Sequence, residues 1–215
     1  MNIYITGLGS GYEVEHLVRL FYPMAPLTLT PPEDGADCVW AEKRPDKLWA
    51  MVRQGGKCAE RTAPLPAPAE AGQTAEAPLP IPVEEGGETP EFALASLTYD
   101  LLRSWTGIRP PWGKMTGVRP VRIIHDLRAE GKTEEEIEQR FLQHFDCTPR
   151  RFAMAKSIAD LQRPVLERAQ PMDCSVYAGI PFCPSRCSYC SFVSRTVGDK
   201  SSRALVAPYV DCLCK

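Results

Sequence analysis

The chain has 215 residues, 44% of them hydrophobic and 24% charged, enough apolar side chain to core one or two domains. A formal net charge of −2 gives no electrostatic footing for nucleic acid or an anionic membrane, and neither is expected as a partner. No run approaches the ~18–20 apolar residues that cross a bilayer, and Met1-Asn2-Ile3-Tyr4-Ile5 lacks the basic start of a signal peptide. A cytoplasmic location is therefore expected, with the nine cysteines as reduced thiols.

In chain order, Ile3-Tyr4-Ile5 reads as a short strand, and Thr6 to Gly11 leads into a helix marked by Val14, Leu17, Val18 and Phe21 at helical spacing. The glycines resemble a dinucleotide loop only superficially. Tyr12 stands where the third glycine belongs, so a tight strand-to-helix turn is the simpler reading. Cys38-Val39-Trp40-Ala41 and Leu48-Trp49-Ala50-Met51-Val52 flank Arg44-Pro45-Asp46-Lys47, a turn-forming run, and predict a hairpin. These elements make a small α+β module over residues 1–58. Residues 59–90, dominated by Pro, Ala, Glu and Gly, bury too little to offset their ordering entropy and are expected as a disordered or polyproline-like linker.

Residues 91–172 read as a helical module. Leu94, Leu97, Leu101, Leu102 and Trp105 share one helical face. Pro110-Pro111 and Gly113 then exclude regular structure, and Val118-Arg119-Pro120 opens a helix that Gly131 ends. Thr133 with Glu136 spells a capping box for a helix burying Ile137, Phe141, Leu142 and Phe145. Thr148-Pro149 starts another helix, which Pro164 should kink or interrupt. Over 173–215 the pattern is an apolar strand at Ser175–Ile180, a cysteine loop, and a helix marked by Leu205, Tyr209 and Leu213.

That loop, Cys183-Pro184-Ser185-Arg186-Cys187-Ser188-Tyr189-Cys190, carries the chemistry. Three thiolates at CxxxCxxC spacing can hold three irons of a [4Fe–4S] cluster and leave the fourth open to a ligand that is not protein. The spacing differs from the four-cysteine run of ferredoxins and from the paired C-x₂₋₄-C units of zinc sites. Cys38, Cys58, Cys147 and Cys174 are scattered and read as small structural side chains. Cys212 and Cys214 sit two apart in a helix, where side chains diverge, and make a poor chelate. His16, His125 and His144 are dispersed and give no metal signal.

The loop resembles the signature of radical S-adenosylmethionine (SAM) enzymes, and Tyr177-Ala178-Gly179-Ile180-Pro181-Phe182-Cys183 resembles the Y-x-H-I-P-F-C strand of oxygen-independent coproporphyrinogen III oxidases, with Gly179 as a departure. Pro111-Trp112-Gly113-Lys114-Met115-Thr116-Gly117-Val118-Arg119-Pro120 is similar to the P-W-G-x-L-T-G-(I/V)-R-P segment of HemZ-type coproporphyrinogen dehydrogenases. The resemblance implies that Cys183, Cys187 and Cys190 ligate the cluster, that SAM binds the open iron, and that Tyr177, Tyr189 and Phe192 lie on the SAM side of the site. It implies a porphyrinogen substrate, a low-potential electron donor, and conversion of two propionates of coproporphyrinogen III to the vinyl groups of protoporphyrinogen IX through a 5′-deoxyadenosyl radical. The expected fold is an α+β module and a helical module followed by the first βα unit of an incomplete radical SAM β/α barrel.

Gly86-Gly87-Glu88 matches the family's SAM-holding tripeptide but precedes the cysteine loop rather than following it, and is read as a coincidence. Phe192 stands where authentic oxidases carry a further cysteine, a C-x-F ending shared with the haem-chaperone branch. The alternative is thus a haem-binding relative without decarboxylase activity, or an inactive interaction module. Arg109, Lys114, Arg119 and Arg122 cluster around the P-W-G turn and could meet substrate carboxylates. Few residues follow Cys190, too few for the barrel's later strands, so this chain alone is expected to be inactive.

Overall fold

Short apolar runs near the start of the chain build a five-stranded sheet of order β2-β1-β3-β4-β5, with β4 buried along five successive residues. The strands are β1 (Asn2–Thr6), β2 (Leu27–Thr28), β3 (Cys38–Lys43), β4 (Lys47–Gln54) and β5 (Lys57–Pro64). β1 pairs in parallel with β2 and β3, and β3, β4 and β5 form an antiparallel meander in which Trp40 faces Met51 and Met51 faces Glu60. The computed structural model describes residues 1–67, 89–170, 172–174, 176–188 and 190–215, which divide into two units, Met1–Glu167 and Arg168–Lys215. Among the described residues no helix is long and apolar enough to cross a membrane.

On one face of the sheet Ile3, Val39, Ala41, Leu48, Ala50 and Val52 are fully buried against α1 (Tyr12–Arg19) and α2 (Pro90–Thr106). The helices contribute Val14, Leu17 and Val18, and Leu94, Ala95, Leu101 and Leu102, each set at helical spacing. Burying each larger aliphatic contributes about 1.5–3 kcal/mol before conformational entropy is charged. The other face carries an aromatic row, Tyr4, Trp40 and Trp49, with successive rings edge-on at 5.2 and 5.5 Å. Arg44 lies 4.3 Å over the Trp49 ring, whose Nε1–H donates to Glu60 at 3.0 Å.

Two features differ from the sequence reading. β5 occupies the start of the stretch expected as linker, because Gly55 and Gly56, both at positive φ (58° and 75°), make the two-residue turn that folds Lys57 back onto Gln54. β5 offers the core only Ala59 and Ala63, which leaves no period to detect. α2, expected within the helical module, instead covers the sheet, and only Phe92 at its start joins the second core. The rest of the expected linker, 68–88 with Gly86-Gly87-Glu88, lies outside the described residues.

The second core joins α3 (Pro120–Ala129), α4 (Glu134–Gln139), a π-helical turn (Arg140–His144) and α5 (Pro149–Leu166) through Ile123, Ile124, Leu127, Ile137, Phe141, Phe145 and Phe152. The capping box forms as its spacing requires: the Thr133 N–H donates to Glu136 at 2.7 Å, and the Glu136 N–H donates to the Thr133 hydroxyl at 3.2 Å. α5 passes through Pro164 to Leu166 rather than breaking there. The missing N–H falls in the last turn, where the Glu167 N–H closes the helix on the Arg163 carbonyl at 2.9 Å.

The second unit contains β6 (Phe182–Cys183), β7 (Arg195–Thr196), α6 (Lys200–Ala204) and α7 (Val206–Leu213). β6 and β7 pair in parallel, Phe182 with Arg195 and Cys183 with Thr196. The expected strand at Ser175–Ile180 is not formed over its described residues, 176–180. The Gly179 carbonyl, a ladder acceptor in such a strand, takes the Tyr209 hydroxyl of α7 instead. The chain thus has mixed α+β content.

Candidate functional site

The cysteine loop hangs from the β6–β7 pair. Cys183 is the last residue of β6, and two backbone bonds fix the ends of the loop: Arg195 N–H to the Pro181 carbonyl at 2.8 Å and Val197 N–H to the Cys183 carbonyl at 3.0 Å. Within it the Cys190 N–H donates to the Cys187 carbonyl at 3.0 Å, a single turn carrying both cysteines. Cys183 and Cys190 are half-buried and Cys187 is exposed, and all three are free thiols. Behind the loop the Tyr209 ring meets Phe182 edge-on at 5.4 Å, while Arg203 donates to the Val197 carbonyl at 3.1 Å.

Among the described residues no three His, Cys, Asp or Glu side chains converge on a point that could hold a metal ion. The three thiols therefore share a loop without forming a ready-made cage. Their donor chemistry nevertheless suits iron: three sulfurs on one short segment, none in a disulfide, with the described residues between them outside helix and strand. Tyr177 is 87% and Phe192 75% exposed, so neither is packed against the loop. Tyr189 lies outside the described residues. At Gly179, where the resembling motif has histidine, an added Cβ would come within 3.2 Å of the Tyr177 ring.

The P-W-G segment is built into the first unit by backbone contact. The Lys114 N–H donates to the Phe145 carbonyl at 2.7 Å, and the Pro111 carbonyl accepts from the Thr148 N–H at 3.1 Å and its hydroxyl at 3.0 Å. Gly113 has φ +59°, and a Cβ there would sit 1.9 Å from the Phe145 carbonyl oxygen, so no other residue fits without moving backbone.

Next to this contact Asp146, itself at φ +54° and buried, accepts from the Tyr99 hydroxyl at 2.8 Å, Arg103 at 2.8 Å and Arg109 at 2.9 Å. Nothing in the sequence signalled this carboxylate, whose partners come from α2 and the turn after it. Burial first, then the Asp146 hydrogen bond and charge, pushes the Tyr99 phenol well above its usual range.

Three of the four basic residues expected to meet substrate carboxylates have partners within the first unit. Arg109 is held by Asp146, and Lys114 pairs with Asp100 at 3.3 Å while lying 5.6 Å from the Tyr99 ring centre. Arg122 pairs with Asp126 one turn on, at 3.4 Å, and Arg119 occupies the cap position of α3. Two other titrating groups in this region follow the same logic of enclosure. Burial raises the Cys147 thiol to about 11, and burial followed by the charges of Arg140 and Lys114 lowers His144 to about 4.

Over 107 residues, 48% of this chain, the sequence is 31% identical to the oxygen-independent coproporphyrinogen-III oxidase-like protein HemZ of Bacillus subtilis (strain 168). That stretch is 21% of the length of the relative, so the chain spans about a fifth of it. No protein-family model and no solved structure matches the chain.

Proposed function

We propose, for a chain that is a HemZ-type relative over part of its length, that it contributes the cluster-binding loop of a radical SAM oxidoreductase acting in tetrapyrrole biosynthesis. The observation that carries this reading is the loop itself: three free thiols at CxxxCxxC spacing, suspended from the end of β6 with Cys187 and Cys190 on one turn. Cys183, Cys187 and Cys190 would hold a [4Fe–4S] cluster. When bound, that group supplies the electron that starts SAM cleavage.

The residues of the chain do the positioning. β6 and β7 fix the two ends of the loop, and Tyr209 and Phe182 brace its base. Tyr177, Tyr189 and Phe192 are the proposed SAM-side residues, and the exposure of Tyr177 and Phe192 leaves both side chains accessible to a ligand. A porphyrinogen whose propionates are decarboxylated to vinyl groups is the proposed substrate, and a low-potential electron donor the proposed partner.

A second reading, haem binding without decarboxylation, is favoured by one feature, Phe192 in place of the further cysteine. Anaerobic reconstitution with iron and sulfide followed by electron paramagnetic resonance tests the first reading. A reduced-cluster signal that shifts on adding SAM is expected. A signal indifferent to SAM, together with stoichiometric haem uptake, would favour the second.

A further inference from the structure

We infer that Cys187 and Cys190 form a redox-sensitive pair that closes to a disulfide when the loop holds no iron, while Cys183 stays outside it. That this closure would control cluster loading rests on the reading above; the pairing rests on the loop alone. The Cys190 N–H to Cys187 carbonyl bond of 3.0 Å makes them the first and last residues of a turn. Such a turn holds the outer Cα atoms within about 7 Å, overlapping the roughly 4.4–6.8 Å that a disulfide spans. Cys183 is held differently, in register with Thr196 and with its carbonyl bonded to Val197, so its backbone belongs to the sheet pair and not to the turn. Of the unit's other thiols, Cys174 is exposed and far back in the chain, and Cys212 and Cys214 stand two apart at the end of α7.

The exposed Cys187 gives a small oxidant access. Its thiolate attacks one sulfur of a low-molecular-weight disulfide, releasing one small thiol and leaving a mixed disulfide. The Cys190 thiolate then attacks the Cys187 sulfur and expels the second small thiol. The protein pair loses two electrons and two protons, which the small disulfide gains in becoming two thiols. Closure removes two of three ligands, and one remaining thiolate cannot hold a cubane.

The test uses the whole chain, reduced and free of iron, incubated anaerobically with oxidised glutathione, alkylated and cut with trypsin. Cleavage after Arg186 places Cys187 and Cys190 in one peptide and Cys183 in another. The expected result is a 187–195 peptide lighter by two hydrogens and unalkylated, formed equally in C183A and absent in C190A. Pre-oxidised chain should also lose most of its iron uptake on reconstitution and regain it with dithiothreitol. A link involving Cys183, or retention of all thiols, overturns the pairing. A Cys187–Cys190 link in a chain whose reduced form takes up no iron supports the pairing and overturns the cluster reading instead.

Discussion

Met1–Glu167 and Arg168–Lys215 treat their reactive groups in opposite ways. In the first unit charge is answered internally: Asp146 gathers Tyr99, Arg103 and Arg109, and Arg128 joins Glu134 at 2.8 Å and Asp160 at 2.6 Å. Its buried Cys147 has a thiol pushed to about 11, which leaves almost no thiolate at neutral pH. In the second unit Ser202 is the one buried residue among those described, and the cysteines of the loop are half-buried or exposed. The difference shows how one chain can keep some thiols inert and others available. Enclosure in an apolar core disfavours the thiolate, and a loop proposed to bind metal has to avoid enclosure.

If that contrast holds, substitutions in the first unit should act on stability, in order of how much packed or paired structure they disturb. Gly113→Ala comes first. The added methyl meets the Phe145 carbonyl and the positive φ is unfavourable for alanine, so a loss of about 3 kcal/mol in urea unfolding is expected. Wild-type stability in this variant would show that the close backbone approach is not part of the fold.

Asp146→Ala follows, at about 2 kcal/mol. The general cost of orphaning a buried ion-pair partner is larger, but Arg103 and Arg109 are 42% and 40% exposed and can turn to water. Thermal unfolding of the alanine variant beside Asp146→Asn separates the charge from the Tyr99 hydrogen bond. A fully stable alanine variant would mean that the carboxylate is not the hub described above. Thr133→Ala removes half of the capping box and should cost about 1 kcal/mol, read by chemical denaturation. No loss there would place the cap on a frayed end.

The last effect is a change in pH dependence rather than a loss at one pH, and it emerges on acidification. His144 titrates near 4 in the fold against 6.5 for an unperturbed histidine, so the folded state binds its proton later than the unfolded chain. Its contribution to stability is complete above 6.5 and is lost as pH falls from there through about 4. His144→Gln should flatten the pH dependence of unfolding in that window. An unchanged slope would show that burial of the ring is incomplete.

What the sequence displayed was local chemistry. The hairpin of β3 and β4 follows from two apolar runs about a Pro-Asp turn, α1 from its apolar stripe, and the capping box from a Thr-x-x-Glu spacing that needs no distant partner. β5 escaped because alanine is the only side chain it lends to the core, although Gly55-Gly56 between two runs is itself a hairpin signal. The apolar stripe of α2 announced a buried face but not which surface would bury it. Asp146 lies in an ordinary-looking stretch before a helix, and three residues distant in sequence give it its role, so Arg109 and Lys114 looked available when they were taken. The cysteine spacing was legible at once. What spacing could not supply is the arrangement of the sulfurs, because in the proposed site the metal itself would draw them together.

The most direct measurement is iron content after anaerobic reconstitution, made on the wild-type chain and on the Cys183→Ala/Cys187→Ala/Cys190→Ala variant, with circular dichroism to establish that both are folded. Wild type should retain about four irons per chain and the triple variant essentially none, while Cys38, Cys58, Cys147, Cys174, Cys212 and Cys214 remain in both. Equal iron in the two folded proteins would contradict the assignment of the loop as the cluster site.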